Sequence, residues 1–422
     1  MATMLAVWLL VLLLPIVGRA QPAPGPIEGL RQELERLRQQ AEESRRSYED
    51  QLRRLQRRIE ELEQAERRRT DEAARAAAPP PPAPVPPPAL PGIRVGGAPL
   101  LFDISFTGDF VGNVGNDSRS EQRNRFFPRE LDLALQGAVD PYMRADVFLE
   151  LKEESKGEEK IELDEGYATI LSLPFGLQAR LGKFRPKFGR LNTFHNHDLP
   201  QTDRPNVLKN LFGEDGLSEK GGALSAILPL PFFSEVEVAT LTGDNPESFG
   251  RGSIRTPLLI GHLKSFFEIG ENSAFQIGLS GGHGPNVQNR RTTLQGLDLT
   301  YKWKPLDRPG ESLILQAELL RSRREVEGDR LERYGGYFLT QYQLSRRWYA
   351  GFRYDWSQLP TERGSREQAF SPLVTFALSP FSQFRLQYKL TERLTERTFD
   401  RDVSELFFQF TLRLGRERPE LF

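Results

Sequence analysis

The sequence predicts an all-β transmembrane barrel of about 16 antiparallel strands, preceded by an N-terminal helical coiled coil and a Pro-rich linker. Three observations predict the barrel. From residue 99 onward, apolar and polar side chains alternate with period two. The alternating segments run about 10–14 residues. A tilted strand needs ~9–11 residues to cross a bilayer, whereas soluble strands average only ~5–6. Finally, every second connection is mostly short, and the set between them is mostly longer and more polar.

The first element is a targeting segment, residues 1–20. Residues 5–17 are apolar or small, too short a run for the ~20 residues of a membrane-spanning helix. Gly18-Arg19-Ala20 then places small residues at a cleavage site before Gln21. The start, Met1-Ala2-Thr3-Met4, lacks the usual Lys or Arg.

Residues 27–76 are dense in Arg, Glu, Gln and Leu, with Gly29 the sole glycine. Ile27, Leu34, Ala41, Tyr48, Leu55 and Leu62 fall at seven-residue spacing. A helix so polar buries nothing alone, so the spacing predicts a coiled coil. The partner series holds at Leu30 and Leu37, fails at Ser44, Gln51 and Arg58, and shifts toward Leu52 and Ile59. A single solvated helix is the alternative. Residues 77–98 form the linker. Pro79-Pro80-Pro81-Pro82 and Pro86-Pro87-Pro88 favour an extended polyproline spacer at ~3.1 Å per residue.

Residues 99–422 form the barrel. In the clearest strand Trp348, Ala350, Phe352, Tyr354 and Trp356 share one face, with Arg353 and Asp355 opposite. Sixteen strands are expected near 99–111, 126–139, 142–154, 159–173, 176–186, 218–229, 234–243, 256–269, 273–284, 293–304, 311–325, 332–344, 347–358, 366–378, 382–395 and 402–414. An even number puts both ends on the periplasmic side. The third long connection, 187–217, is about thirty residues long. Wide barrels leave an aqueous lumen that something usually constricts, so this loop is expected to fold inward.

Asp164-Glu165-Gly166-Tyr167, with Leu181-Gly182-Lys183-Phe184-Arg185-Pro186-Lys187-Phe188-Gly189, resembles the EAY…GKFKPPFG pattern of the phosphate-selective porins (porins O and P). The strand pair 131–151, the closing 406–415 and terminal Phe422 also look like that family. The resemblance spans most of 99–422. It implies a sixteen-stranded outer-membrane porin, usually a homotrimer embedded in outer-membrane lipid, that passes anions. The coiled coil would hang into the periplasm. The alternative is a barrel used as an envelope anchor, its coiled coil binding the cell wall or another envelope protein. No plug-like domain precedes the strands, which argues against an energy-coupled receptor.

Alternation places Arg144, Arg180, Lys302, Arg353, Arg385, Lys389 and Arg413 on the inner wall as pore-lining candidates. Asp132, Asp146, Glu150, Asp298, Asp355 and Glu405 share that wall. From Leu100 on there are 42 Lys+Arg and 45 Asp+Glu. Mixed walls select weakly, so small hydrophilic solutes or ions are expected, with anion or phosphate preference the sharper reading. Lys187, Arg190, His195, His197, Asp198 and Arg204 are candidates for a constriction or rim. Lys183, Arg185 and Lys187 would share the lipid face if the strand continued. A charge at mid-bilayer costs ~2–4 kcal/mol, so the run is expected at the outer rim or turned inward by a bulge.

Several classes are set aside. Lys+Arg 57 against Asp+Glu 58 leaves no basic footprint for nucleic acid. The mean hydropathy of −0.50 resembles a soluble chain, but barrel strands average out as hydrophilic. With Cys 0 there is no disulfide framework or thiolate site. His195-Asn196-His197-Asp198 could ligate a metal, but no further His or Cys lies nearby to complete a tetrahedral set. No metal, cofactor or catalytic residue is expected. His262 and His283, beside Ser265 and Ser280, have no distinctive catalytic spacing.

Overall fold

The computed structural model describes residues 94–95, 98–99 and 102–415, apart from 118–119, 121, 156, 309 and 395–401. The predicted targeting segment and coiled coil, most of the linker, and terminal Phe422 lie outside the described residues.

Sixteen antiparallel strands close into one barrel. They are β1 (Phe102–Gly115), β2 (Arg125–Asp140), β3 (Met143–Ser155), β4 (Glu158–Ile170), β5 (Leu177–Phe184), β6 (Glu219–Ile227), β7 (Phe233–Leu241) and β8 (Leu258–Ile269). There follow β9 (Ser273–Pro285), β10 (Arg291–Trp303), β11 (Ser312–Val326), β12 (Asp329–Gln343), β13 (Trp348–Gln358), β14 (Arg366–Ser379), β15 (Ser382–Leu394) and β16 (Val403–Leu414). Each pairs with the next, and β16 closes on β1 from Leu414↔Phe106 to Glu405↔Gly115. Closure leaves no edge with unpaired backbone groups, which hydrocarbon would not tolerate.

Every expected strand has its counterpart. The first begins and ends later than the pattern suggested, and β5 stops early, at Phe184. Turns on the chain-end side are mostly tight, such as 141–142 and 380–381. On the other side the asymmetry rests chiefly on 185–218 and 242–257, since 156–157 and 327–328 are as short as any turn.

The two faces follow the alternation. Leu133, Leu181, Val238, Leu279, Leu319, Phe352, Leu386 and Phe408 are exposed on the outside, the band expected to meet lipid. Asp146, Asp298, Glu318, Arg353 and Gln387 are buried inside. No described helix is long and apolar enough to cross a membrane.

The inside also holds an apolar core. The inner wall turns apolar at Leu241, Leu258, Ile260, Leu294, Leu320 and Leu339. Residues 185–218 fold into the lumen and pack Phe188, Leu191, Leu199, Leu208, Leu211 and Phe212 against it. Burying each such side chain is worth ~1.5–3 kcal/mol, which an outward loop would forgo. A short helix, α1 (Asn206–Phe212), carries the last three. It ends at Gly213, whose φ of 87° suits glycine and whose N–H donates to the Lys209 carbonyl at 2.9 Å.

Candidate functional site

The inward loop is positioned by two irregularities in the wall. β2 carries an extra residue, Arg129, between the pairs Asp109↔Glu130 and Phe110↔Pro128. β4 carries another, Asp164, between Phe148↔Glu165 and Leu149↔Leu163. A bulge lets consecutive residues face the same side. Arg129 and Glu130 therefore both reach the loop, as do Asp164 and Glu165.

Charge contacts hold the loop at both ends of its crossing. Near β2 and β4, Asn196 Nδ2 donates to Glu130 at 2.5 Å and His195 Nε2 lies 3.0 Å from Glu165 Oε1. His195 Nδ1 is 3.3 Å from Asp164 Oδ2, and His197 Nδ1 is 3.0 Å from Asp132 Oδ2. Arg129 donates to the carbonyls of Thr202 and Asn196. On the far wall, Asp203 accepts from Arg353 at 2.9 Å, Gln387 at 2.6 Å and Lys389 at 2.6 Å. Asp198 pairs with Arg413 at 2.8 Å. Between these anchors Gly189 and Leu191 donate backbone N–H groups to Ser280 and Glu318.

These surroundings set the charge states of the loop. Burial opposes charging His195, but Glu165 and Asp164 outweigh it and its pKa is raised to about 10. His197 is likewise raised well above its ordinary value, burial being outweighed by Asp198, Asp132 and Glu130. Burial would push Asp203 up, yet Arg353 and Lys389 hold it far below the usual carboxylate range. His197 and Arg413 do the same for Asp198. Without a bound cation, these surroundings favour protonated imidazoles and ionised aspartates.

The predicted residues divide into groups. Arg144, Arg180 and Arg413 face open space, each paired with a carboxylate: Asp146, Glu237 and Asp198. Lys302 lies at the turn end of β10, on the face of buried Asp298 and Thr300. Arg353 and Lys389 are buried beneath the loop, where they anchor it. This corrects their expected pore-lining role, because a folded loop covers what alternation leaves facing the lumen. Arg385 is also buried, bonded to Thr375 and Gln409, at the margin of a cavity.

In the loop, Lys187 reaches Glu235 at 2.6 Å, and the Arg190 guanidinium lies 4.9 Å over the Phe194 ring. Arg204 is not at a rim. It is buried and donates to the carbonyls of Leu191, Phe194 and Glu214, fastening the loop to itself. The basic run splits where β5 ends. Lys183 stays outside, bonded to the Leu163 carbonyl, while Arg185 turns in to Asp164 and Lys187 to Glu235. Asp203, Arg129 and Glu130 were missed. Only their charge marked them, and charge alone does not name a partner.

Two cavities flank the loop on the turn side. The larger, about 940 Å³, is bordered by Arg144, Arg180, Lys187, Arg190, Glu235 and Lys264, among others. Histidines aside, six basic and six acidic side chains line it. The smaller, about 360 Å³, is bordered by Arg385, Arg413 and Asp198. Asp198 borders both, so its pair with Arg413 stands at their divide. On this wall His262 Nδ1 lies 2.9 Å from Ser280 Oγ. The carboxylate beside His262 in the sheet, Glu237, is engaged with Arg180 and Lys187.

No family model matches the chain. A relative from Aquifex aeolicus (strain VF5), described as an uncharacterized protein, is 28% identical over 329 residues, 69% of each chain. Among solved structures, the outer membrane channel DcaP of Acinetobacter baumannii aligns with a TM-score of 0.54 at 11% identity, over 76% of this chain and 99% of that one. The anion-selective porin from Comamonas acidovorans aligns with a TM-score of 0.51 at 10% identity, over 74% and 98%. These likenesses show the fold: a closed sixteen-strand barrel of the porin type.

Proposed function

We propose that this chain is an outer-membrane porin for passive diffusion of small hydrophilic solutes or ions, constricted by residues 185–218. The observation that carries the reading is a barrel apolar outside and charged inside, with a water-accommodating cavity beside an inward loop. The coiled coil belongs in the periplasm on this reading, and the assembly is a homotrimer in outer-membrane lipid.

Selectivity should be weak. The larger cavity balances six charges of each sign, and a wall of mixed sign discriminates little. A modest anion preference has support at the smaller cavity, where Arg385 and Arg413 face Asp198. Phosphate preference, the sharpest reading, has less support, because most inner-wall cations are already paired with carboxylates. The anchor reading draws on a different observation, the apolar core that the loop builds across the lumen.

Single-channel conductance of refolded protein in planar bilayers tests these readings. Steps in groups of three, with a reversal potential near zero in a salt gradient, support the trimeric porin. A barrel that inserts yet never conducts sinks the channel and leaves the anchor.

A further inference from the structure

The inward loop brings two histidines into a pocket of carboxylates that no stretch of sequence contains. We propose that His195, His197 and Asp132 bind a divalent transition-metal ion, zinc by its ligand preference, which ties the loop to the wall at β2.

The donor set converges. One ligand atom from each of the three residues lies within 4.8 Å of the others. Asp132 Oδ2 is 3.0 Å from His197 Nδ1 and 4.0 Å from His195 Nδ1. Both rings thus present the same nitrogen to one carboxylate oxygen. That oxygen is buried and, despite its nearness to His197, makes no well-directed hydrogen bond.

The outer contacts fit as well. A ligating histidine usually gives its second nitrogen to a carboxylate, which orients the ring and strengthens it as a donor. Here His195 Nε2 has Glu165 at hydrogen-bond distance, 3.0 Å, and His197 Nε2 has the Asp198 carboxylate beside it at 3.3 Å, a charge contact without hydrogen-bond alignment. A fourth oxygen is at hand from Asp164, 3.3 Å from His195 Nδ1, or Glu130, 3.3 Å from His197 Nδ1.

Charge points the same way. Five carboxylates touch the two rings: Glu130, Asp132, Asp164, Glu165 and Asp198. Two guanidiniums bond to those five, Arg185 and Arg413. The excess negative charge calls for a dication or for protons on the rings. Two imidazole nitrogens with carboxylate oxygen suit zinc, whereas calcium and magnesium take all-oxygen sets.

The test uses the full chain, refolded in detergent, stripped with a chelator and titrated with zinc chloride by calorimetry. Zinc K-edge absorption then reads the ligands. The expected result is one zinc per chain with two imidazole nitrogens. H197Q should abolish binding, and the near-isosteric E165Q should weaken it about 10–100-fold, as loss of an outer partner does. His262→Gln combined with His283→Gln should leave it unchanged. Heat-modifiable gel migration confirms that each variant keeps its barrel, and D132N serves if H197Q does not fold. No saturable binding, an all-oxygen ligand spectrum, or unchanged binding in both H197Q and D132N would overturn the site and leave ion-paired imidazolium groups only.

Discussion

The Asp203 carboxylate lies 2.6 Å from the Lys389 ammonium, although 186 positions separate them in the chain. The same carboxylate holds Arg353 at 2.9 Å. One loop residue therefore bridges two wall cations, and its loss would leave Lys389 buried without that carboxylate, while Arg353 keeps Asp355 at 2.7 Å.

Asp203→Asn should release the far end of the loop. Breaking a buried ionic network by removing one partner costs about 3–5 kcal/mol. On the porin reading, single-channel conductance should rise and become noisier, and added protease should cut within 185–218. Wild-type conductance with full protease resistance would show that the anchor is redundant.

The near end should respond to alkali. His195 has its pKa raised to about 10 by Glu165 and Asp164, against burial and the repulsion of Arg185. Its unfolded value is ~6.5. A folded value above the unfolded one stabilises the docked loop fully below the lower pKa, and that stability is lost as pH rises through the higher. With a chelator present to remove metal, protease resistance of the loop should hold from pH 6 to 8 and fall as pH passes about 10. Loosening between pH 6 and 7 would contradict this assignment.

Gly189→Ala should displace the loop where it packs against Glu318 of the wall. Gly189 has φ of 64°, a region L side chains rarely adopt, and an added Cβ would collide with the Glu318 carboxylate. The expected penalty is about 1–3 kcal/mol, read as a lower thermal unfolding midpoint. Gly281→Ala, where an added Cβ meets nothing within 4 Å, is the control and should change little.

Lys264→Gln should tilt selectivity toward cations. It removes one of the six basic groups around the larger cavity. At ~8 Å through water a unit charge acts on a passing ion with about 0.5 kcal/mol, roughly a two-fold change in permeability ratio. Reversal potentials in a salt gradient would register the shift, and none would place the conduction path elsewhere.

Much of the barrel was legible because its signal is local. Alternation in 347–358 assigned Phe352 to the outside and Arg353 to the inside from neighbouring residues alone, and β13 bears this out. The site was less legible. His195 and His197 stood out as a pair, but Glu130 and Asp164 reach them through bulges, and one extra residue leaves no mark in a period-two pattern.

By itself the sequence determined the period, length and number of the strands, and hence which side chains face in. Those properties depend on backbone geometry repeated every two residues. Only the tertiary structure decided which inward charge meets which. Arg353 and Lys389 look like pore lining until the loop crosses the lumen and covers them with Asp203. Such pairing depends on proximity across a closed barrel, between residues more than a hundred positions apart, and periodicity along a chain carries no measure of that distance.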